Sequence, residues 1–366
     1  MTDQSAPALK EIFNLERLQH IATEMTAVYP AFDAKGFLKH AGAGLAELSV
    51  MQRMARVSES LHAVIPLDYP HTLKLLYALA PRLNSAFVSL FLPHYVASYG
   101  QDDFKRSMAA LKYFTAFGSA EFAIRHFLLH DFERTLAVMQ AWSLDANEHV
   151  RRLASEGSRP RLPWSFRLAE VQANPQLCAS ILDNLKADSS LYVRKSVANH
   201  LNDITKDDPD WVLGLIEGWS LANPHTAWIA RHALRSLIKQ GNTRALTIMG
   251  AGARAEVKIH NLQVTPAVIT LGERISLSFT LESTAATAQK LVVDYAIDYV
   301  KSAGHSAAKV FKLKAFTLDA GAHQSIRREQ HIRELTTRKH YPGLHSVHVF
   351  INGEKLASAG FELLNP

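Results

Sequence analysis

Cysteine is almost missing from this chain: Cys178 is the single one in 366 residues. An internal disulfide and a cysteine-based metal cluster are therefore excluded, and one free thiol fits a reducing compartment. No run of eighteen apolar residues occurs, so no membrane-spanning helix is expected. The opening residues, MTDQSAPALKEIF, lack a basic stretch followed by an apolar core. No secretory signal is expected, and the expected location is the cytoplasm. The 18 histidines are scattered without an HExxH or comparable pattern, so neither a metal nor another cofactor is expected. GxSxG, Walker and GxGxxG motifs of useful specificity are also missing, which removes the common serine-hydrolase and nucleotide-binding readings.

What is present is enough apolar material for packed cores, 48% of residues, in a chain about twice the usual single-domain length. The formal charge of +6 permits a polyanionic partner without demanding one.

From about Lys10 to about Gln240 the apolar residues recur at three and four, as at Ile12, Leu15, Leu18 and Ile21, then Leu45, Leu48, Met51 and Met54. That is helical periodicity. Pro30, Pro66, Pro81 and Pro93 are expected between helices, where they do no harm. Three strings are weakly alike: HVRRLASE from His149, YVRKSVANHL from Tyr192 and WIARHALRSL from Trp228. FAIRHFLL from Phe122 is a candidate earlier copy. Val150 to Val193 is 43 positions and Val193 to Ile229 is 36. A period near 40 with two helices per unit is the range of HEAT and armadillo repeats, which stack into a solenoid with a concave binding face. The plainer alternative is an irregular helical bundle.

Beyond about Glu256 the apolar period becomes two, as at Val257, Ile259, Leu262 and Val264, then Ile275, Leu277, Phe279 and Leu281. Later runs are LVVDYAIDYV, KVFKLKAFTL, HSVHVFING and KLASAGFEL. Seven or so short strands predict an immunoglobulin-like β-sandwich, with Tyr341 a candidate tyrosine corner. The expected domains are therefore 1–252, helical repeats, and 256–366, sandwich, joined near the GAGARA stretch at Gly250–Ala255.

The segment richest in chemistry is EHVRRLASEGSRPRLPW, Glu148 to Trp164. It sets Arg151, Arg152, Arg159 and Arg161 around Glu156 and ends on an indole, Trp164. Guanidinium groups suit phosphates. If equivalent helices line one face, Arg194, Lys195, Arg231 and Arg235 extend a basic stripe able to track a duplex backbone. The alternative is a solvated helix face. Glu156 is either a surface ion pair or a carboxylate aimed at a cation. Asp203 lies near the end of its helix, where the macrodipole disfavours an acid by a few tenths of a kcal/mol; turn chemistry is its alternative. Glu121, two residues after Ser119 as a candidate N-cap, reads first as a first-turn acid. His149, His200 and His232 read as packing or surface residues.

Such a set is able to break an N-glycosidic bond. Alkylation at a ring nitrogen makes a base cationic and a good leaving group. What remains is to stabilise an oxocarbenium-like sugar and to position a water, and carboxylates do both. An indole face adds stabilisation of a cation.

HVRRLASEGSRPRLPW, FAIRHFL with Glu121 before it, and SLYVRKSVANHLNDI resemble segments of the AlkC-type DNA alkylation-repair glycosylases, a HEAT-like repeat family. The resemblance covers roughly residues 5 to 250. Some members of that family carry a C-terminal Ig-like domain. The resemblance implies excision of cationic alkylated bases such as 3-methyladenine and 3-methylcytosine from double-stranded DNA, leaving an abasic site. It implies Trp164 against the deoxyribose, Asp203 and Glu156 stabilising the oxocarbenium and positioning water, Glu121 in support, and Arg152 on a phosphate or in the space left by a bent helix. A monomer is expected. Lys309, Lys312, Lys314, Arg327, Arg328, Arg338 and Lys339 give the sandwich a basic character suited to extra phosphate contacts or to a partner. The competing reading is a non-enzymatic helical scaffold for nucleic acid or protein, in which the acids are dispensable. An RNA-reading repeat would need one base reader per repeat, and none is visible.

Overall fold

A computed structural model describes residues 9–251, 254–302, 304–334 and 339–364. Sixteen α-helices precede eight strands among them. The helices are α1 (Leu15–Val28), α2 (Ala34–Gly42), α3 (Val50–Val64), α4 (Tyr69–Leu79), α5 (Phe91–Tyr99), α6 (Phe104–Phe114), α7 (Glu121–His130) and α8 (Phe132–Trp142). They continue with α9 (Glu148–Gly157), α10 (Ala169–Ala173), α11 (Ala179–Leu185), α12 (Leu191–Ile204), α13 (Pro209–Glu217), α14 (Pro224–Ala233), α15 (Arg235–Lys239) and α16 (Thr243–Ile248). No described helix is long and apolar enough to cross a membrane.

The chain forms two compact units, one of residues 1–207 with 221–232, the other of 208–220 with 233–366. In the first, α9 packs between α7 and α12, while α8 and α11 lie against them as a second layer. These three central helices carry the recurring strings, so the period near 40 is a two-layer helical repeat. Two arginines mark the equivalence: Arg151 donates to the carbonyls of Asp145 and Ala146, and Arg194 to those of Asp188 and Ser189, each at 2.8–2.9 Å. Each thus closes the loop that leads into its own helix.

Local chemistry sets the helix starts. Asn147 accepts from the His149 amide before α9, and Asp131 from the Arg134 amide before α8. Ser119 does not cap α7 as expected; Ala120 occupies the N-cap, and the Ser119 hydroxyl is 3.5 Å from the Glu121 amide. Two of the prolines expected between helices lie inside helical turns. Pro81 is in a 3₁₀ turn, and Pro93 is the third residue of α5, where its missing N–H loses no hydrogen bond. The WIARHALRSL string is also interrupted: α14 ends at Ala233 and α15 starts at Arg235.

In the second unit the strands are β1 (Val257–Thr265), β2 (Val268–Ile269), β3 (Arg274–Ser283), β4 (Gln289–Val300), β5 (Ser306–Leu318), β6 (His323–His331), β7 (Gly343–Ile351) and β8 (Glu354–Leu363). They form a sheet of order β1-β3-β6 and another of order β2-β8-β7-β4-β5. All ladders are antiparallel except β2 with β8. Leu277, Phe279 and Leu281 from one sheet and Val293, Tyr295, Ile297, Val347, Val349 and Phe361 from the other fill the core. This is the expected Ig-like sandwich, of eight strands, and β2 and β6 are the two that fall outside the six apolar runs. β6, HQSIRREQH, is polar on an exposed face and has one fully inward residue, Ile326, so alternation did not reveal it. β4 is buried on both faces, and α15 packs against its neighbour β5. Arg338, counted among the basic residues of this half, and Gly252 and Ala253 of the GAGARA stretch lie outside the described residues.

Candidate active site

α9 is where the central chemistry is built. Val150, Leu153, Ala154 and Gly157 fall at i, i+3, i+4 and i+7 and turn inward. Because α7 and α12 cover its two flanks, the whole stretch Leu153–Gly157 is buried, and Glu156 is only 6% exposed. Gly157 permits the close approach: a Cβ there would meet Ile124 Cγ2 of α7 at 2.5 Å.

Six charged side chains from three helices and the turns that follow two of them alternate in sign. Glu121 of α7 pairs with Arg152, whose other nitrogen is 3.6 Å from Glu156. Glu156 accepts from Arg159 at 2.6 Å. Arg159 reaches on to Asp203 of α12 at 2.7 Å, and Lys206 bonds the other Asp203 oxygen at 3.1 Å. A buried carboxylate or guanidinium alone would cost several kcal/mol; the alternation gives each one an opposite neighbour. Burial nevertheless pushes the Glu121 carboxyl above the usual range, against the opposing pull of Arg152. His200, one turn before Asp203, is fully buried and stays neutral, its pKa pushed down to about 3 by burial and then by the charge of Arg159.

A cleft of about 400 Å³ opens over part of this network. Glu121, Glu156, Arg152, Arg159 and Trp164 line it, together with Tyr192, Ser119, Phe87 and Phe122. Trp164 is 62% exposed and has φ of 64°. A left-handed backbone at a bulky residue costs about 1–3 kcal/mol and persists only where the surroundings enforce it. An indole that is both strained and exposed does not serve as filling for a loop. Tyr192, at the start of α12, offers its ring to Arg152, whose guanidinium carbon is 4.9 Å from the ring centre.

The sequence-derived acids are thus brought together unequally. Glu121, Glu156 and Trp164 share the cleft wall. Asp203, 4% exposed, stands behind Arg159 and is not among the lining residues. The basic stripe also divides. Arg151 holds Asp188 at 2.6 Å besides its loop carbonyls, Arg161 holds Asp207, and Arg194 is 9% exposed with its guanidinium 5.8 Å from the Trp228 ring centre. These three have intramolecular partners. Lys195 and Arg231 are exposed. Arg235 is in a different helix and a different compact unit from Arg231. The histidines pack: His232 stacks on Trp228 at 3.7 Å, and His149 meets Tyr192 edge-on.

Tyr192 and Arg125 were not singled out from sequence. Tyr192 opens a string already read as a repeat, and its ring meets Arg152 only when α12 and α9 lie side by side. Arg125 sits four residues after Glu121, and its acceptors are main-chain carbonyls that no motif displays.

Comparison with known proteins agrees with this architecture. Residues 101–237 match the family model of the DNA alkylation repair enzymes. Residues 258–365 match that of the C-terminal Ig-like domain of the uncharacterised protein YhaZ. The uncharacterised protein YhaZ of Bacillus subtilis (strain 168) is 41% identical over 356 residues, 97% of this chain and 99% of its own length. The solved structure of Pseudomonas fluorescens alkylpurine DNA glycosylase AlkC, bound to DNA containing an abasic site analog, is 88% identical. It superposes with a TM-score of 0.96 over 98% of this chain and 100% of that chain.

Proposed function

Because this chain belongs to the AlkC family of alkylation-repair DNA glycosylases, we propose that it hydrolyses the N-glycosidic bond of cationic alkylated bases in double-stranded DNA. The base class is that of 3-methyladenine and 3-methylcytosine, and the compartment is the cytoplasm. The observation that carries this reading is the gathering of Glu121, Glu156 and Trp164 on one cleft wall within a frame of arginines.

The chemistry needs no acid on the base. As the bond from C1′ to the ring nitrogen breaks, its electron pair leaves with the base, which departs neutral. The sugar becomes oxocarbenium-like. Glu121 and Glu156 supply negative charge toward it, and the indole of Trp164 supplies a π face. A water then adds to C1′ and gives its proton to a carboxylate, leaving an abasic site and a free base. Glu156 is the proposed water-positioning group, since it lines the cleft. Asp203 acts with it through Arg159, holding that cation away from the developing positive charge. Arg152 faces the same cleft.

The proposed phosphate contacts fall first on the exposed Lys195 and Arg231. Arg151, Arg161 and Arg194 join them only by giving up present partners. Arg235 and the basic residues of the sandwich are proposed to add contacts from the second unit. The domain division proposed from sequence, 1–252 and 256–366, places α13, α15 and α16 with the helical part.

The test is release of free base from duplex DNA treated with a methylating agent, measured for the wild-type protein and for Glu121→Gln and Glu156→Gln. Release by the wild type that falls sharply in the variants supports the proposal. Equal release in all three would show that these two acids do not carry the reaction, and none above background leaves the non-enzymatic scaffold as the better reading.

A further inference from the structure

Arg125 is a fully buried charged residue with no carboxylate paired to it among the described residues. Its guanidinium donates to the carbonyls of Gly157 at 3.0 Å and Arg159 at 2.6 Å, and to that of Phe166, whose ring lies 5.2 Å below it. Its Nε has no partner among the described residues.

Such a group is a poor choice for stability alone. A desolvated cation without a directly paired carboxylate is costly, even with the more distant charges of Asp203 and Glu156 in its favour, and a long apolar side chain would fill the space without that cost. The desolvation shows in the pKa, pushed down to about 10, which still leaves the group charged at neutral pH. The carbonyl end of α9 offsets part of this, because a cation at a helix C-terminus is favoured. What arginine supplies beyond charge is a planar fork that fixes several acceptors at once.

The three acceptors define what is fixed. Gly157 ends the helix that carries Glu156, Arg159 follows it, and Phe166 closes the stretch that carries Trp164. Arg125 itself stands one helical turn after Glu121 on α7. One guanidinium therefore ties the helix of the first acid to the helix end of the second and to both ends of the loop that bears the strained indole. Within the loop, the Leu168 amide bonds the Pro160 carbonyl at 3.2 Å and the Ser165 amide the Leu162 carbonyl at 3.3 Å. Arg159 and Arg161 tie the loop toward α12 through Asp203 and Asp207, and Arg125 ties it to α7, the helix of Glu121. We propose that Arg125 is a positioning residue for the glycosylase reaction, setting the spacing of Glu121, Glu156 and Trp164 without touching substrate. This rests on the function proposed above.

The experiment uses the full chain carrying Arg125→Met, Arg125→Lys and Arg125→Ala. Four quantities are read: single-turnover release of 3-methyladenine at saturating protein, affinity for undamaged duplex, amide hydrogen exchange over residues 158–168, and the effect of added guanidinium ion on Arg125→Ala. Arg125→Met is expected to lose roughly 10²-fold in single-turnover rate, the size of effect that a displacement near 1 Å produces. Duplex affinity is expected to stay unchanged while exchange over 158–168 accelerates. Arg125→Lys keeps the charge but not the fork and is expected to behave like the methionine variant. Guanidinium ion is expected to restore part of the rate to Arg125→Ala. A folded Arg125→Met with wild-type rate and wild-type exchange would overturn the proposal, as would full activity in Arg125→Lys. Should Arg125→Met fail to fold, Arg125→Lys decides on the same readouts. If the wild type itself releases no base, the proposed function fails, and exchange alone then judges whether Arg125 holds the loop.

Discussion

Arg159 is shared between two carboxylates: it donates to Glu156 at 2.6 Å and to Asp203 at 2.8 Å, joining the loop after α9 to the end of α12. The acid that looked misplaced at a helix C-terminus is thereby explained. Its unfavourable interaction with the helix dipole, a few tenths of a kcal/mol, is small beside the cost of leaving a buried guanidinium half-paired.

That sharing separates two kinds of variant. Glu156→Gln is expected to lower base release by roughly 10²-fold or more, as for loss of a water-positioning carboxylate. Asp203→Asn removes one partner of a buried cation and is expected to lower stability by about 3–5 kcal/mol as well. Thermal melting, together with single-turnover release followed below the melting point, distinguishes them. Wild-type melting in Asp203→Asn would show that Arg159 does not depend on it.

The second expectation concerns pH. Burial raises the Glu121 pKa, so on acidification it takes a proton before an exposed glutamate does. Its ionised form, present at higher pH, is the one that pairs with Arg152 and that the proposed mechanism sets against the sugar. Base release should therefore fall on acidification from above the ordinary carboxylate range, and Glu121→Gln should abolish that limb. A rate profile flat down to pH 4 in the wild type would contradict this.

Binding gives a third test. Lys195→Ala and Arg231→Ala should each weaken binding to damaged and undamaged duplex alike and reduce the salt slope by about one. Arg151→Ala, by contrast, should lower the melting temperature, since it frees Asp188 and two loop carbonyls. Fluorescence anisotropy over a salt series, with melting curves beside it, reads both effects.

Asp294 of β4 offers a test in the second unit. Burial raises its pKa to about 6, against the pull of Lys312 and Lys239. A folded pKa above the unfolded one means that ionisation opposes folding. The penalty is absent below about pH 4, grows toward pH 6 and is full above it. Asp294→Asn should then raise stability at pH 7 by about 1–3 kcal/mol, an increase of several degrees in melting temperature, with the two proteins converging near pH 4. Equal melting at pH 7 would show that the carboxylate is adequately solvated or paired.

The last prediction concerns domains. α15 packs against β5, the edge strand of the five-stranded sheet, and Gly241 lies so close to Gly353 that a Cβ on Gly353 would sit 2.6 Å from the Gly241 Cα. A fragment of residues 256–366 should therefore be less stable than one of residues 233–366, as urea unfolding of the two would show. If the shorter fragment is as stable, the division at 252–256 describes the folding units better.

Much of this molecule is set by local sequence. The 3.6-residue and two-residue periods place helices and strands, Asn147 and Asp131 start helices with their own side chains, and the recurring strings of α7, α9 and α12 announce stacked repeats. Charge density and an indole after Pro163 single out Glu148–Trp164 without any coordinates. Tertiary structure decided what those charges do. Whether an arginine meets a phosphate or a carbonyl depends on the helix beside it, so Arg151 and Arg194 turn back to their own loops while Lys195 faces solvent. Tyr192 enters the cleft because α12 packs on α9, and Asp203 lies behind Arg159 for the same reason. Arg125 holds backbone carbonyls, which every sequence contains equally, so its partners come into view only once α7 and the loop after α9 are folded together.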